Sequence, residues 1–393
     1  MSAPAEVEIE GDCHPQFWRV RDAFAREFAQ GSELGASVCV TLEGDTVVDL
    51  HAGFLDRART QPWRRDVLAN VYSTTKGLTA LAAHRLVDEG LLDLDAPVAR
   101  YWPEFAQAGK QGIPVRWLLS HQAGLCAVAK KIPVETIYDW SEMTRLLAEQ
   151  KPWWEPGRAH GYHALTFGWL VGELVRRIRH EKIGDVVREE IARPLGVEFE
   201  IGFGPELDAR VAPLLQGPMH PPPPGKAGLD MLTQIQQNPD GMLARTFGNP
   251  PLLAVSPNAR EWRAAELAAA NGHSNAHSLA RIYGALANGG AIDGVRLLSR
   301  EAIERARTEQ ARGPDQVLPL ETRYALGFFL PTDEEPLGPN PRVFGHGGAG
   351  GSYSMADPEQ RLSFGYVMNL MHTGLWLVDP RPRRLLAAAY GCL

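Results

Sequence analysis

Residues 71–89 read VYSTTKGLTALAAHRLVDE, and this stretch decides how the rest of the 393-residue chain is read. Leu78, Leu81, Ala82 and Leu86 recur at helical spacing and Gly90 closes the run, so a helix is expected from Ser73 to about Glu89. Ser73 opens that helix and Lys76 follows at i+3, which puts hydroxyl and amine on one face. A serine hydroxyl is a weak nucleophile until a neighbour takes its proton, and a lysine can take it only when neutral. Burial or nearby positive charge lowers a lysine from about 10.4 towards 7–8, a change of roughly 4 kcal/mol that a desolvated cleft supplies. The helix N-terminus adds unpaired N–H groups and a positive dipole end, which favour an alkoxide or oxyanion. Lysine is scarce here, and this is the one Ser-x-x-Lys of the sequence. On spacing alone, a serine N-cap with lysine on a solvated face remains an equal alternative.

Working outward, residues 36–51 (ASVCVTLEGDTVVDLH) read as two β-branched strands joined at Gly44-Asp45. Residues 90–200 continue mostly helical, interrupted by prolines such as Pro97, Pro114 and Pro156. The stretch 204–258, with Pro221 to Pro224, shows little periodicity and is long for a loop, which suggests a lid or pocket wall. A helix is expected from about Ser274 to Asn288. Strands are expected at Tyr324–Leu330, Ser352–Ala356 and Leu362–Met368, and a last helix at about Arg383–Tyr390. Strands at both ends with helices between predict an α+β fold. Its sheet domain would be discontinuous (1–72 and 270–393), with a largely helical subdomain over 73–269.

Bulk composition limits the function. A net charge of −7 argues against nucleic acid or an anionic membrane as partner. No run of 18 apolar residues occurs, and Met1–Phe17 carries Glu6, Glu8, Glu10 and Asp12 instead of an export signal. Cys13, Cys39, Cys126 and Cys392 are scattered without metal-ligand spacing, and free thiols in a reducing cytoplasm are expected.

Residues 71–125, which run on through LVDEGLLDLDAPVARYWPEF and VRWLLSHQAGL, strongly resemble the serine β-lactamase-related family. That family spans class C β-lactamases, penicillin-binding proteins, D-aminopeptidases and family VIII carboxylesterases. The resemblance runs from about Val38 to Met368 and implies a β-lactamase/transpeptidase-like fold, an antiparallel sheet flanked by helices plus a helical subdomain. It also implies a second motif, usually Tyr-x-Asn, for which Trp154-Glu-Pro-Gly157 and Gly161-Tyr-His-Ala164 are the matching segments. Tyr162 then relays protons between Ser73, Lys76 and the leaving group, given a cationic neighbour to lower its pKa. Ala164 stands where the Asn would be, so the amide that holds a β-lactam side chain is missing. The third motif, usually Lys-Thr-Gly, is matched by His346, Gly347 and Gly348, similar to the Trp/His-Gly-Gly variant of family VIII esterases. The same resemblance makes the Ser73 and Ala349 N–H groups the oxyanion hole. The lost Lys removes the cation that grips the carboxylate of penicillins and D-Ala peptides.

Other signals carry less. Gly345, Gly347 and Gly350 spell a dinucleotide pattern, but strand rather than helix follows. His273 and His277 have a metal-capable helical spacing without a third ligand, and no metal or other cofactor is expected. No Gly-x-Ser-x-Gly elbow occurs. Trp153-Trp154, Phe247 and Leu252-Leu253 are candidates to wall an acyl or alcohol pocket, or simply to pack. The expectation is a cytoplasmic serine carboxylesterase for small esters, with Ser73, Lys76 and Tyr162 catalytic. Rivals on the same site are an amide or D-amino-acid peptide hydrolase, an acyltransferase and a weak β-lactamase. A non-catalytic binding relative is the rival of another class.

Overall fold

The computed structural model describes residues 7–219, 231–251, 254–374 and 377–393. Pro221 to Pro224 and Leu252-Leu253 lie outside the described residues. Strands β1 (Ile9–Cys13), β2 (Gly35–Leu42), β3 (Asp45–Gly53), β4 (Phe344–Gly347), β5 (Tyr353–Asp357) and β6 (Leu362–Met368) form one sheet. Its order is β1-β3-β2-β6-β5-β4, antiparallel throughout. The central β2–β6 pairing, with Cys39 opposite Gly365, joins the two ends of the chain.

Alternation along the strands sorts side chains to two faces. Val38, Val40, Val48, Leu50, Phe364 and Tyr366 share a buried cluster with Phe24 and Leu385. Those last two lie on α1 (Trp18–Ala29) and on the C-terminal helix Pro380–Tyr390. The opposite face presents Ser37, Cys39, Thr41 and Ser363 to the helix Ala276–Ala287; Ser363 Oγ donates to Ala280 O at 2.6 Å. Between the two groups of strands lie α2 (Thr75–Asp88), α3 (Trp140–Glu149) and α4 (Thr166–Arg179). Numbering continues with α5 (Ala276–Ala287) and α6 (Pro380–Tyr390). Leu78, Leu81, Phe105, Leu118, Leu147, Phe167 and Leu174 form the core of this helical part. Burying each such side chain contributes roughly 1.5–3 kcal/mol.

Several expected boundaries move. The hairpin turns at Glu43-Gly44, whose φ values of 54° and 100° suit a two-residue loop matched to strand twist. α5 begins at Ala276 because the Asn275 side chain accepts from Ser278 N and caps it there. α6 begins three residues early, on Pro380. The expected strand Tyr324–Leu330 ends at Tyr324 instead. Gly327, at φ 87°, breaks it, since its backbone turns towards α2 and a Cβ there would lie 2.2 Å from Ala80 Cβ. The insert is less irregular than its composition suggests: Met231–Gln237 and Met242–Gly248 are short helices. All four cysteines are free. Among the described residues no helix is long and apolar enough to cross a membrane.

Candidate active site

The approach to Ser73 is fixed by a short strand, Leu68–Asn70, which pairs with His273–Ser274. Asn70 Nδ2 donates to Ala270 O at 3.0 Å and Val71 N to Gly272 O at 2.8 Å, so the chain is held up to the residue before the turn. Tyr72 then adopts φ 42°, a sparsely populated conformation for an aromatic residue. Tyr72–Thr74 forms one tight turn that runs directly into α2. Ser73 is left half-buried at the helix entrance, while Thr75 to His84 behind it are all buried.

Lys76 is fully buried. Its Nζ lies 3.0 Å from Ser73 Oγ, 2.7 Å from Ala164 O and 3.0 Å from Ala269 O. Burial lowers its pKa well below the ordinary lysine value, with no carboxylate partner to oppose it. A neutral amine has two hydrogens and one lone pair. Two carbonyls accept the hydrogens, which aims the lone pair at the serine hydroxyl.

Tyr162 is buried, with its ring 4.7 Å from Lys76 Nζ and the Ser73 hydroxyl close enough to the phenol to act on its pKa. The hydroxyl, amine and phenol therefore meet in one pocket. The expected lowering of the Tyr162 pKa does not occur. Burial raises it, more than Ser73 lowers it, so the group is a neutral phenol. A neutral lysine supplies no charge to stabilise a phenolate.

The third segment is β4. His346 is buried, its Nδ1 donates to Gly347 O at 2.7 Å, and its Nε2 has no partner. Burial is the chief cause that lowers its pKa to about 3, so an uncharged imidazole stands where the related motif has a lysine. Gly348 packs against the nucleophile turn: a Cβ there would lie 2.1 Å from Val71 O and 2.2 Å from Ser352 Oγ. Ser352 Oγ donates to Val71 O at 2.7 Å, and Thr74 Oγ1 lies 3.2 Å from Ser352 Oγ. These contacts dock the exposed Ala349 turn beside Ser73. Among the described residues, neither the Ser73 N–H nor the Ala349 N–H has a backbone hydrogen-bond partner.

Trp154 stands edge-on to His163 at 6.1 Å and donates from Nε1 to Ala159 O. Phe247 packs partly buried against the cluster that holds Tyr162. Several supporting residues were not expected. Asp315 accepts from Tyr162 N at 3.0 Å, Val317 N at 2.8 Å, Leu318 N at 2.9 Å and Tyr324 Oη at 2.8 Å, and so holds the backbone of Tyr162. His163 Nε2 accepts from Leu125 N at 3.0 Å, and His121 Nδ1 accepts from His163 N at 3.1 Å. The one available signal was the His-rich run around Tyr162, since Asp315 lies 153 positions away.

Comparison with known proteins identifies the family and the fold. The family model described as Beta-lactamase matches residues 20–388. A family VIII carboxylesterase of known structure superposes with a TM-score of 0.88 at 43% identity, covering 98% of this chain and 100% of that one. A penicillin-binding protein homologue from Caulobacter crescentus gives the same TM-score at 40% identity, with coverage of 98% and 100%. The Esterase/beta-lactamase LipL of Mycobacterium tuberculosis is 37% identical over 384 residues, 94% of this chain and 85% of that protein. This chain belongs to the Beta-lactamase family and is a serine hydrolase built on that family's fold.

Proposed function

We propose that the chain is a carboxylesterase that hydrolyses small, short-acyl, uncharged esters through an acyl-enzyme on Ser73. The observation that carries this reading is the buried Lys76 amine, 3.0 Å from Ser73 Oγ, 2.7 Å from Ala164 O and 3.0 Å from Ala269 O. Ser73 Oγ attacks the ester carbonyl as its proton passes to Lys76 Nζ. The oxyanion is held by the Ser73 and Ala349 N–H groups; one such donor is typically worth about 10²–10³ in rate. The C–O bond to the alcohol then breaks, and the proton returns through the Tyr162 phenol to the leaving oxygen. Water, deprotonated by the same pair, attacks the acyl carbonyl and frees the acid and Ser73. Trp154 and Phe247 wall the acyl side.

The preference for uncharged esters follows from His346. A neutral imidazole there offers an acceptor and no cation, so a carboxylate loses the ion pair that a lysine would supply. The names of two relatives, a family VIII carboxylesterase and an Esterase/beta-lactamase, support ester hydrolysis. Four free cysteines are in keeping with a reducing, cytoplasmic setting.

A substrate panel tests the proposal. p-Nitrophenyl acetate and butyrate should give higher kcat/KM than nitrocefin or a D-amino-acid anilide. An anilide or nitrocefin turned over faster than both esters would replace it with an amidase or β-lactamase assignment.

A further inference from the structure

A second cluster lies away from the Ser73 pocket, under α5. Cys39 on β2 and Asp49 on β3 are direct cross-strand partners, so their side chains leave the same face of the sheet. α5 crosses that face and brings in His277 from its first turn, with Nδ1 3.1 Å from an Asp49 oxygen. One ligand atom from each residue lies within 4.8 Å of the other two. Cys39 and Asp49 are buried, and His277 is half-buried, which leaves one side of the cluster open to water.

We propose that Cys39, Asp49 and His277 form a binding site for a divalent ion of borderline softness, zinc(II) being the natural occupant. The argument rests on donor chemistry, charge and location. Sulfur, carboxylate and imidazole are the three donor types that zinc takes from proteins, at about 2.3, 2.0–2.2 and 2.0–2.1 Å. A thiolate and a carboxylate with a neutral imidazole carry two negative charges, which a divalent ion cancels. Among the described residues the Cys39 thiol, a free cysteine, has no hydrogen-bond partner, so coordination would cost it none. Burial and Asp49 hold that thiol protonated without a metal; the ion would displace the proton to solvent. The Asp49 charge is now met by Arg65 and His277. The Arg65 side chain is 61% exposed and can swing away into water when the ion takes its place. Zinc bonds of these lengths set ligand atoms roughly 3.3–3.8 Å apart, so small side-chain rotations would close the present spacing. Water from the His277 side would fill the fourth position. Such an ion would tie β2, β3 and α5 together and would be structural, since the catalytic serine lies elsewhere.

Cobalt(II) titration of metal-stripped protein tests this, because a Co–thiolate bond absorbs in the near ultraviolet. One equivalent should produce the band, and equimolar zinc should abolish it. The band should vanish in Cys39→Ser and weaken at least tenfold in apparent affinity in His277→Ala. It should persist in a Cys13→Ser/Cys392→Ser protein, which lacks the two partly exposed thiols. Ester turnover by Cys39→Ser and His277→Ala, measured in parallel, should stay within about twofold of wild type and so report that they fold. No band in wild type, or an unchanged band in folded Cys39→Ser, would overturn the site.

Discussion

At the scale of single residues, the chemistry turns on which groups burial leaves uncharged. Lys76 and His346 are driven neutral and Tyr162 is kept protonated, all chiefly by loss of water. Of the groups beside Ser73, only Lys76 is then a base strong enough to take its proton. Ester kcat/KM should climb with pH while Lys76 loses its proton, and level off once it is neutral. Because its pKa is depressed, that limb should lie well below the ordinary lysine range. Lys76→Arg places a permanent cation where the neutral amine stood, and it cannot act as base. Its kcat should fall by about 10²–10⁴ and its rising limb should disappear. An unchanged limb in Lys76→Arg would mean another group is the base. Ser73 and Lys76 were legible because i+3 on a helix is a purely local relation. The carbonyls of Ala164 and Ala269 that orient the amine were not, because backbone acceptors leave no mark in residue identity.

At the scale of elements, the site is a junction between the β4–β5 turn and the entrance to α2. Gly348 is where the two touch, with Val71 O and Ser352 Oγ filling the space a side chain would need. Gly348→Ala should push the Ala349 turn off Ser73 and lower kcat by about 10²–10³, the worth of one oxyanion donor, with the fold retained. Normal kcat in Gly348→Ala would remove Ala349 from the mechanism. The sequence reading located β2, β3 and β6 as β-branched or apolar runs and α2 by the helical spacing of Leu78, Leu81, Ala82 and Leu86, although β2, β6 and most of α2 are buried on all sides. It failed for Tyr324–Leu330, an apolar run that reads as strand. Gly327 bends there to fit Ala80, a contact with a residue nearly 250 positions away. It also missed the helices at 231–248, too short to show a period beside so many prolines.

At the scale of the molecule, the two chain ends are bound to each other and to the site. Arg381, fully buried on α6, pairs with Glu33 at 3.1 Å and Asp379 at 3.0 Å, and donates to Gly350 O at 2.6 Å beside the Ala349 turn. The fold also buries an unusual number of neutral histidines. Desolvation lowers His84 and His163 to about 4, His273 and His346 to about 3, and His121 well below its ordinary value. The unfolded chain takes up these protons below about pH 6.5 while the folded chain refuses them until about pH 3–4, so acidification favours unfolding. Each group adds up to about 1.4 kcal/mol per pH unit across that window. Glu33, raised to about 8 chiefly by burial, acts with the opposite sign, as do Glu200 and Glu266, both also raised by burial, three groups against the five histidines. The melting temperature should therefore drop between pH 7 and 5, before ordinary carboxylates titrate. A flat profile there would show that these histidines are not held neutral.

The claim on which the rest depends is that the ester's acyl group passes through Ser73. Protein quenched in acid during p-nitrophenyl butyrate turnover, then digested and mass-mapped, tests it directly. A butyryl adduct should appear on the peptide containing Ser73, at that residue, and be absent from Ser73→Ala along with turnover. An adduct confined to another residue, or full turnover by Ser73→Ala, would contradict it.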